Sequence, residues 1–487
     1  MKSVMKKKLI VNNSEKKVSN TSMAAQSKYE INYKDLRVNE LKDICRKKNI
    51  KGFSGKNKDE LVELVMNALG INSKPVSNNQ IISDTSMTTN VEVKSSKNSL
   101  KFIDLFCGIG GFHQVLKMLG CECVLACDID KYCREVYKMN YGIDVELDVR
   151  KLVPENMPDF DILCGGFPCQ TFSNAGKKKT FDDDRGLLFD EIIRIVRVKK
   201  PRFLFLENVK HILKVGHGKV LKYILEKLDK TGYNVQYFKI SPHEYGIPQQ
   251  RERIYFVCVR KDIYSGDDVV LKYDKTKKIC FNDYLDKVED VPDKYFIKDD
   301  ILKCLEAWDE MIKIFDVGEK ISPTIMVNEF YNTYTEQEFL GLAKWRQEYI
   351  TKNRPLYEKY KDKWDAWYVK HKDILTRREI YAKLEWQVGV IEENDSIFNY
   401  FIQMRQSGIR VKRARYFPTL VAISQIPIYG KEKRYLTPKE GLRLQSFPDN
   451  FKVLENDKHT YKQLGNSVNV ENVRNVLEST LKKYGVI

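Results

Sequence analysis

The sequence has no long apolar run and no C-x-x-C pair of cysteines, and each absence excludes a class of protein. No stretch approaches the roughly 18 consecutive apolar residues of a membrane-spanning helix, which excludes an integral membrane protein. The basic start, MKSVMKKKLIVNN, has too short an apolar stretch for a secretory signal. Histidine is scarce, with 6 residues, and the 11 cysteines form no C-x-x-C pair, so zinc knuckles and metal sites are not expected. Scattered cysteines in odd number are typical of free thiols in a reducing, intracellular compartment.

Basic residues are in clear excess. Lys and Arg number 84 against 67 Asp and Glu, a formal net charge of +17. Such an excess predicts a polyanionic partner. The first 100 residues hold 19 basic and 10 acidic side chains, so a fifth of the chain carries about half of the excess.

Composition changes several times along the N-terminal part. Residues 1–32 are rich in Lys, Ser and Asn and are predicted to form a flexible basic tail. In residues 33–70 apolar side chains recur at helical spacing on either side of a Gly/Ser turn that carries Lys56 and Lys58, which predicts two short helices. Residues 71–99, rich in Ser, Thr and Asn, are predicted to be a linker.

From residue 100 the pattern predicts an α/β domain with a mostly parallel sheet. Strands and helices alternate through residues 100–261, as βαβ units require. From about 262 to 430 the alternation is lost and the region is interpreted as irregular, and a short C-terminal segment, about 437–485, is predicted to be helical. The predicted strands are Phe102–Phe106, Glu122–Ala126, Asp161–Cys164, Phe203–Leu206, Asn234–Ile240 and Ile254–Val259.

A glycine-rich turn follows the first predicted strand. Gly108 and Gly110 allow the backbone to approach a ligand closely at the start of a helix. His113 stands where a dinucleotide fingerprint has its third glycine, which argues against a nicotinamide oxidoreductase. Asp128, after the second strand, is placed to bind ribose hydroxyls, and Asp148 to reach an adenine amino group. The pattern favours an adenosyl cofactor.

Reactive side chains follow three other predicted strands. Cys169 lies in a Pro/Gly loop at the carboxyl end of a strand, where α/β sheets place their sites, and is a candidate nucleophile. Glu207 ends the next strand as a candidate site carboxylate. Arg251 and Arg253, two residues apart, are predicted to share a strand face and to offer donors to an anion or a carbonyl.

Together these motifs resemble the DNA (cytosine-5)-methyltransferase family of the bacterial restriction–modification type. Phe-Pro-Cys-Gln, Glu-Asn-Val, Gln-x-Arg-x-Arg and Gly-Asn-Ser-Val follow one another in family order, within about 101–260 and 434–475. The resemblance implies a Rossmann-like catalytic domain of residues 100–261 and 434–487, with a separate target-recognition domain at 262–433. It implies S-adenosylmethionine as methyl donor, double-stranded DNA as partner and a companion restriction endonuclease acting on the same site.

The resemblance also assigns roles to residues. Cys169 adds to C6 of a flipped-out cytosine, Glu207 holds N3, and Arg253 with Arg251 binds the O2 side. Asp128 replaces the more usual glutamate, and Ile129 stands where an aromatic residue is common. The implied cofactor residues are Phe106, Gly108, Gly110, Asp128, Ile129, Asp148, Asn466 and Ser467. The implied DNA contacts are Gln170, Ser173, Lys177, Lys178, Arg185 and Gln249, most of them on a loop that closes over the base.

Two further regions are candidates for DNA contact. In 262–433, Arg410, Lys412 and Arg413 form a basic segment interpreted as a phosphate contact. Aromatic and basic residues around Trp364 also suit a nucleic-acid surface, but their helical spacing favours a core face. Residues 33–70 resemble a SAP module, a small DNA-binding unit to which Lys56 and Lys58 would contribute phosphate contacts; a plain helical hairpin is the alternative.

Two alternatives stay within the same fold. One is a tRNA cytosine-5 methyltransferase, against which the long 262–433 segment and the N-terminal unit argue. The other is a catalytically inactive DNA-binding relative, against which the complete set of catalytic residues argues. Either way the expected location is intracellular, associated with the nucleoid, or nuclear in a eukaryotic host.

Overall fold

A computed structural model describes residues 38–48, 50, 53–68, 99–168, 188–272, 279–321, 324–421 and 425–487. The chain divides into two compact units, Met1–Lys94 and Ser95–Ile487. The predicted tail at 1–32 and residues 71–98 of the predicted linker lie outside the described residues. Among the helices that are described, none has both the length and the apolar character needed to cross a membrane.

The first unit contains two helices, as the apolar spacing predicts. These are α1 (Val38–Lys47) and α2 (Lys58–Ala68). They pack through fully buried apolar side chains, which include Leu41, Cys45 and Leu61. A helical pair of this kind is common to a SAP module and to a plain hairpin, so the resemblance to a SAP module stays a prediction.

The second unit is built on a seven-stranded sheet with the order β3-β2-β1-β4-β5-β7-β6. Its strands are β1 (Lys101–Leu105), β2 (Glu122–Cys127), β3 (Val145–Glu146), β4 (Ile162–Gly166), β5 (Phe203–Val209), β6 (Tyr233–Ile240) and β7 (Arg253–Arg260). The first five strands run parallel, and β7 pairs antiparallel with both β5 and β6. The predicted Rossmann-like, mostly parallel sheet is therefore confirmed.

Helices cover both faces of this sheet, as parallel sheets require. They are α3 (Gly111–Met118), α4 (Lys131–Tyr141), α5 (Leu188–Lys199), α6 (Lys219–Lys230), and near the C-terminus α12 (Pro438–Leu444), α13 (Asp457–Asn466) and α14 (Val470–Lys483). Apolar residues of α3 and α14 pack on one face, and those of α5 and α6 on the other. The C-terminal helices thus return to pack on the large sheet.

The interpretation of residues 262–433 as irregular is wrong. Most of a second, six-stranded sheet is formed here, with the order β13-β12-β10-β11-β9-β8. Its strands have only two to five residues, too short for an alternating pattern to be visible in the sequence. They are β8 (Thr324–Met326), β9 (Lys383–Gln387), β10 (Phe401–Arg405), β11 (Gly408–Lys412), β12 (Ile428–Tyr429) and, just beyond the region, β13 (Arg434–Tyr435).

Four helices pack with this second sheet around a core of their own. They are α7 (Asp299–Ile312), α8 (Asn328–Tyr331), α10 (Lys344–Lys359) and α11 (Lys361–Leu375), whereas the short α9 (Glu336–Gly341) contributes no buried residue. Trp364 and Trp367 are buried in this core, which confirms the core-face interpretation for them. Trp345, at the start of α10, is instead 56% exposed.

Candidate functional site

The carboxyl ends of β4 and β5 meet at one edge of the large sheet. Gly166, the last residue of β4, pairs with Glu207 on β5. Phe167 and Pro168 continue from β4, and the Asn208 side chain donates a hydrogen bond to the carbonyl of Phe167 over 2.9 Å. The segment that leads to Cys169 is therefore fixed beside Glu207.

The predicted nucleophile itself lies outside the described residues. The same holds for five predicted DNA contacts on the loop that follows it, namely Gln170, Ser173, Lys177, Lys178 and Arg185. The roles of these six residues therefore stay predictions.

Glu207 is a buried carboxyl group paired with Arg253. The residue is only 8% exposed, and Oε1 lies 3.1 Å from Nε of Arg253. Burial raises the pKa of Glu207 above its ordinary value, although the charges of Arg253 and Arg251 oppose this shift. A carboxyl group of this kind can retain a proton and donate it to a ring nitrogen, while the adjacent guanidinium offers donors to a carbonyl oxygen.

The spacing of the two arginines predicts that they point the same way and donate hydrogen bonds to one ligand. Arg251 instead has partners different from those of Arg253. It precedes β7, is 2% exposed, and directs its two terminal nitrogens to main-chain carbonyls. Nη1 donates to Leu420 over 2.7 Å, and Nη2 donates to Gly465 and Ser467, each over 2.8 Å. Arg251 thus joins distant segments of the chain behind the site.

A cavity of about 410 Å³ opens beside Arg253, the partner of Glu207, between the strand ends and the second sheet. Its lining carries three cationic groups, from Lys210, Arg253 and Lys412, and one carboxylate, from Glu252. The remaining lining residues are Val209, His211, Gln250 and Thr419. Because Lys412 and Thr419 come from the 262–433 region, the catalytic domain and that region form this cavity together.

The basic segment on β11 is mostly neutralised within the sheet. Arg410 bonds to Glu385 through Nε and Nη2, and Arg413 bonds to Glu392 and to a main-chain carbonyl. Lys412 is the member that lines the cavity, with Nζ 3.5 Å from the side-chain oxygen of Gln250. Burial and, after it, the charge of Arg410 lower the pKa of Lys412.

The other predicted DNA contacts lie in contrasting places. Gln249 is fully buried, and neither atom of its amide has a hydrogen-bond partner among the described residues. A buried unpaired amide of this kind is costly and indicates a close polar ligand or a bound water. Lys56 and Lys58 are both in the first unit, where Lys58 is exposed and Lys56 lies 4.0 Å from Glu60.

The glycine turn after β1 is braced by the carboxylate at the end of β2. Phe106, Gly108 and Gly110 all have positive φ, so the turn departs from regular backbone. The N–H of Gly108 donates to Oδ2 of Asp128, and the N–H of Asp130 donates to Oδ1, each over 2.8 Å. Burial raises the pKa of Asp128. Each oxygen keeps a further lone pair that can accept from a ligand hydroxyl.

The C-terminal segment closes this site from the other side. Asn466 ends α13 with an exposed side chain, and the hydroxyl of Ser467 donates to the carbonyl of Val468. A Cβ on Gly111 would lie 2.4 Å from Cγ2 of Val468, so this glycine permits the close approach. The turn and the C-terminal segment therefore form two walls of one cradle.

Two further predicted cofactor residues follow the ends of β2 and β3. Ile129 is 68% exposed, an apolar side chain that could cover a flat ring. Asp148 is already bound by Arg150, whose Nη2 donates over 2.7 Å, and this hydrogen bond lowers the pKa of Asp148. For the predicted adenine contact, the carboxylate of Asp148 would have to accept hydrogen bonds from Arg150 and from the adenine amino group together. Open space beside Gly108, a buried carboxylate and an exposed apolar side chain fit an adenosyl group.

Sequence reasoning missed the contacts that hold these walls. His113, used only as evidence against a dinucleotide site, is buried, lies 2.7 Å from the hydroxyl of Tyr137 and stacks on Tyr141. Burial lowers the pKa of His113 to about 3. Neither this contact nor the one from Asn208 has a signal in the sequence, because each depends on how separate elements pack.

Comparison with known proteins identifies the family. The family model for C-5 cytosine-specific DNA methylase matches residues 100–482. Type II methyltransferase M.HhaI of Haemophilus parahaemolyticus is 31% identical over 390 residues, which cover 80% of this chain and 95% of that protein. Type II methyltransferase M1.ScrFI of Lactococcus lactis subsp. cremoris is 32% identical over 390 residues, or 78% of each chain.

The solved structure of a methyltransferase of Entamoeba histolytica aligns with 80% of this chain and with 99% of its own chain. Its identity of 20% and its TM-score of 0.47 are too low to add to the sequence comparison. The family model spans well over half of the chain, and relatives above 30% identity are covered over most of their length. The chain therefore belongs to the C-5 cytosine-specific DNA methylase family and is a DNA (cytosine-5)-methyltransferase.

Proposed function

We propose that this enzyme transfers a methyl group from S-adenosylmethionine to C5 of a cytosine turned out of duplex DNA, through a covalent bond between Cys169 and C6. One observation carries the proposal. Glu207 is buried beside Arg253 at the sheet edge, and the neighbouring strand β4 leads there to Cys169. A thiol, a buried carboxyl group that can carry a proton and a cation at one edge are the groups that this chemistry requires.

The protein groups act in a defined order on the base. The thiolate of Cys169 forms a bond to C6, which makes C5 nucleophilic. Glu207 donates a proton to N3, so that the ring does not accumulate negative charge, and Arg253 donates to the O2 side. S-adenosylmethionine supplies the methyl group that C5 takes up and is released as S-adenosylhomocysteine. The C5 proton is then lost to a base, the bond between Cys169 and C6 breaks to regenerate the thiolate, and N3 returns its proton to Glu207.

The cofactor would lie in the cradle between the glycine turn and the C-terminal segment. The main chain at Gly108 leaves room for it, and Asp128 would accept hydrogen bonds from ribose hydroxyls. Gly110 instead lets the turn pack against the ring of Tyr141. Ile129 would cover the adenine ring, and Ser467 with Asn466 would close the cradle. Cytosine would enter from the opposite side, through the cavity that Arg253 lines.

The cationic cavity is the proposed entrance for DNA. Lys210 and Lys412 both line it, one from the catalytic domain and one from the second sheet, and would contact the phosphates that flank the extruded base. The unpaired amide of Gln249 would find its partners once DNA is bound. Because the relatives are type II methyltransferases, we also propose that a companion restriction endonuclease cuts the same site and that both act at the nucleoid.

The decisive experiment is methyl transfer by the purified protein with S-adenosylmethionine on unmethylated plasmid, followed by bisulfite sequencing. Complete modification at one short motif is expected, and Cys169→Ala should abolish it. Cys280→Ala, which removes another thiol that is exposed, is the matched control and should retain activity. Methylated tRNA beside unmodified plasmid would favour the tRNA alternative, and DNA binding without any transfer would favour the inactive relative.

A further inference from the structure

A chain of hydrogen bonds joins the glycine turn after β1 to helix α13, which lies far along the sequence. Gly108 donates to Asp128, and Asp128 also accepts from the N–H of Asp130. Asp130 caps α4 by accepting from the N–H of Tyr132 over 2.9 Å. Its other oxygen, Oδ2, accepts from Nζ of Lys462 over 2.7 Å. The proposed ribose-binding carboxylate is thus linked through Asp130 to a lysine on α13.

A second contact lies on the same face of α13. His459, three residues before Lys462, stacks on Tyr132 with 3.6 Å between the ring centres and 25° between the planes. Residues three apart on a helix are neighbours, so both contacts meet the first turn of α4. At the other end of α4, Asn140 exchanges two hydrogen bonds with the main chain of Lys452, each over 2.8 Å.

Helix α13 connects parts of the molecule that serve different ligands. At its start Asp457 accepts from Lys294 over 2.6 Å and from the hydroxyl of Tyr295 over 3.0 Å, both in the 262–433 region. At its end Asn466 leads into the cofactor cradle. Lys462 lies between these two ends and faces the end of β2.

We propose that Lys462 is a positioning residue for the cofactor, because its ion pair with Asp130 fixes the end of β2 and so the carboxylate of Asp128. This inference rests on the proposed function, since it takes S-adenosylmethionine as the ligand of the cradle. Lys462 does not touch the cofactor. It acts through Asp130, whose main-chain N–H holds one oxygen of Asp128 in place.

The ion pair between Lys462 and Asp130 is too exposed to contribute much to the stability of the fold. The side chains of Lys462 and Asp130 are 52% and 24% exposed, so their attraction is screened by solvent. The hydrogen bond lowers the pKa of Asp130 against the opposing effect of burial, so Asp130 stays ionised. Loss of Lys462 should therefore move the end of β2 while leaving the fold intact.

The test compares cofactor binding and catalysis in full-length variants. Lys462→Met keeps the apolar stem without the charge, and Asp130→Asn keeps a residue that caps helices well. Each is expected to raise the Kd for S-adenosylmethionine, measured by titration calorimetry without DNA, about two- to fivefold, as half-exposed ion pairs imply. The KM for the cofactor should rise equally, with kcat at saturation and Tm unchanged.

Three comparisons make the result specific. The double variant should bind no more weakly than either single variant, because both remove one interaction. Lys462→Arg should restore the wild-type Kd. Lys458→Met, an exposed lysine on the same helix with no ion pair among the described residues, should have no effect.

Other outcomes overturn the inference. A wild-type Kd in both single variants, additive losses in the double variant, or an equal loss in Lys458→Met would each do so. A parallel fall of Tm and kcat would show a structural role instead. If the wild-type protein binds no S-adenosylmethionine at all, the proposed cofactor fails, and that result is distinct from equal binding by wild type and variants.

Discussion

At the scale of single residues, two arginines side by side have different tasks. Arg253 lies against Glu207 at the edge of the cavity, whereas Arg251 donates all its described side-chain hydrogen bonds to main-chain carbonyls. Their spacing in the sequence suggests one shared target. The structure separates a group that faces the cavity from a group that holds the walls together.

The buried carboxyl group gives a prediction for activity and pH. Because burial raises the pKa of Glu207, its protonated form persists to higher pH than in an ordinary glutamic acid, and kcat/KM should fall as the pH rises through that pKa. Glu207→Gln should lower kcat/KM about 10²- to 10⁴-fold, the usual contribution of a general acid. Methyl transfer to a DNA duplex, measured across a range of pH for the wild type and for Glu207→Gln, checks the pH dependence and the loss of activity. Glu226→Gln, an exposed side chain on α6, is the control, and an unaltered rate in Glu207→Gln would contradict the proposed role.

The buried guanidinium gives a prediction for stability. Arg251→Met should leave the carbonyls of Leu420, Gly465 and Ser467 without these donors, at a cost of about 2 to 5 kcal/mol in the free energy of unfolding. Denaturant unfolding followed by circular dichroism measures this loss. The same substitution at the exposed Arg197 is the control. Full activity with wild-type stability in Arg251→Met would contradict a bracing role.

At the scale of elements, the domain built on the large sheet is completed by chain segments that the 262–433 region separates in the sequence. Helix α14 packs against the same face of the sheet as α3, and Val468 reaches Gly111 at the start of α3. Residues 286 and 440 are also joined, since Glu440 accepts from the N–H of Asp286 and from the buried Arg434. The cofactor cradle therefore exists only when these elements are assembled.

The close approach of α3 and the C-terminal segment can be tested by adding one methyl group at position 111. Gly111→Ala places a Cβ 2.4 Å from Cγ2 of Val468 and 3.3 Å from its carbonyl oxygen, so the segment must shift. The Kd for S-adenosylmethionine should rise, with a loss of stability of about 1 to 3 kcal/mol from overpacking. Adding Val468→Ala should restore part of both. Gly341→Ala, with nothing within 4 Å of the added Cβ, is the control. An unchanged Kd for S-adenosylmethionine in Gly111→Ala would show that the contact between α3 and the C-terminal segment does not shape the cofactor site.

At the scale of the whole molecule, charge is unevenly distributed between the two units. The unit Met1–Lys94 holds 18 basic and 10 acidic side chains. The family model begins only at residue 100. The N-terminal unit is therefore an addition to the catalytic domain, and its basic excess suits contact with phosphates rather than sequence recognition.

Deletion of residues 1–94 tests whether the N-terminal unit contacts DNA phosphates. The shortened enzyme should keep its kcat and its target motif, but bind DNA more weakly at low salt. The slope of log K against log salt should become shallower by about 0.9 for each phosphate that the N-terminal unit neutralises in the full chain. Lys56→Ala with Lys58→Ala in the full chain should give part of this change. Identical slopes for the full and shortened enzymes would exclude the N-terminal unit as a DNA-binding module.

The sequence by itself determined the α/β sheet and the order of its motifs, because those signals are local. An apolar run such as Phe203–Leu206 identifies a buried strand, and a polar residue directly after it, such as Glu207, marks the sheet edge where sites form. The order of the motifs then identified the family. The predicted strand Asn234–Ile240 differs from the observed β6 by one residue at its start.

Only the tertiary structure decided which side chains face a ligand and which are occupied within the protein. Arg410 and Arg413 are bound by carboxylates, Lys412 between them lines the cavity, and Lys462 reaches Asp130 across 332 residues of chain. The second sheet was not visible in the sequence because its strands are too short for a periodic pattern. Contacts between distant segments leave no local signal, since they depend on packing and not on spacing.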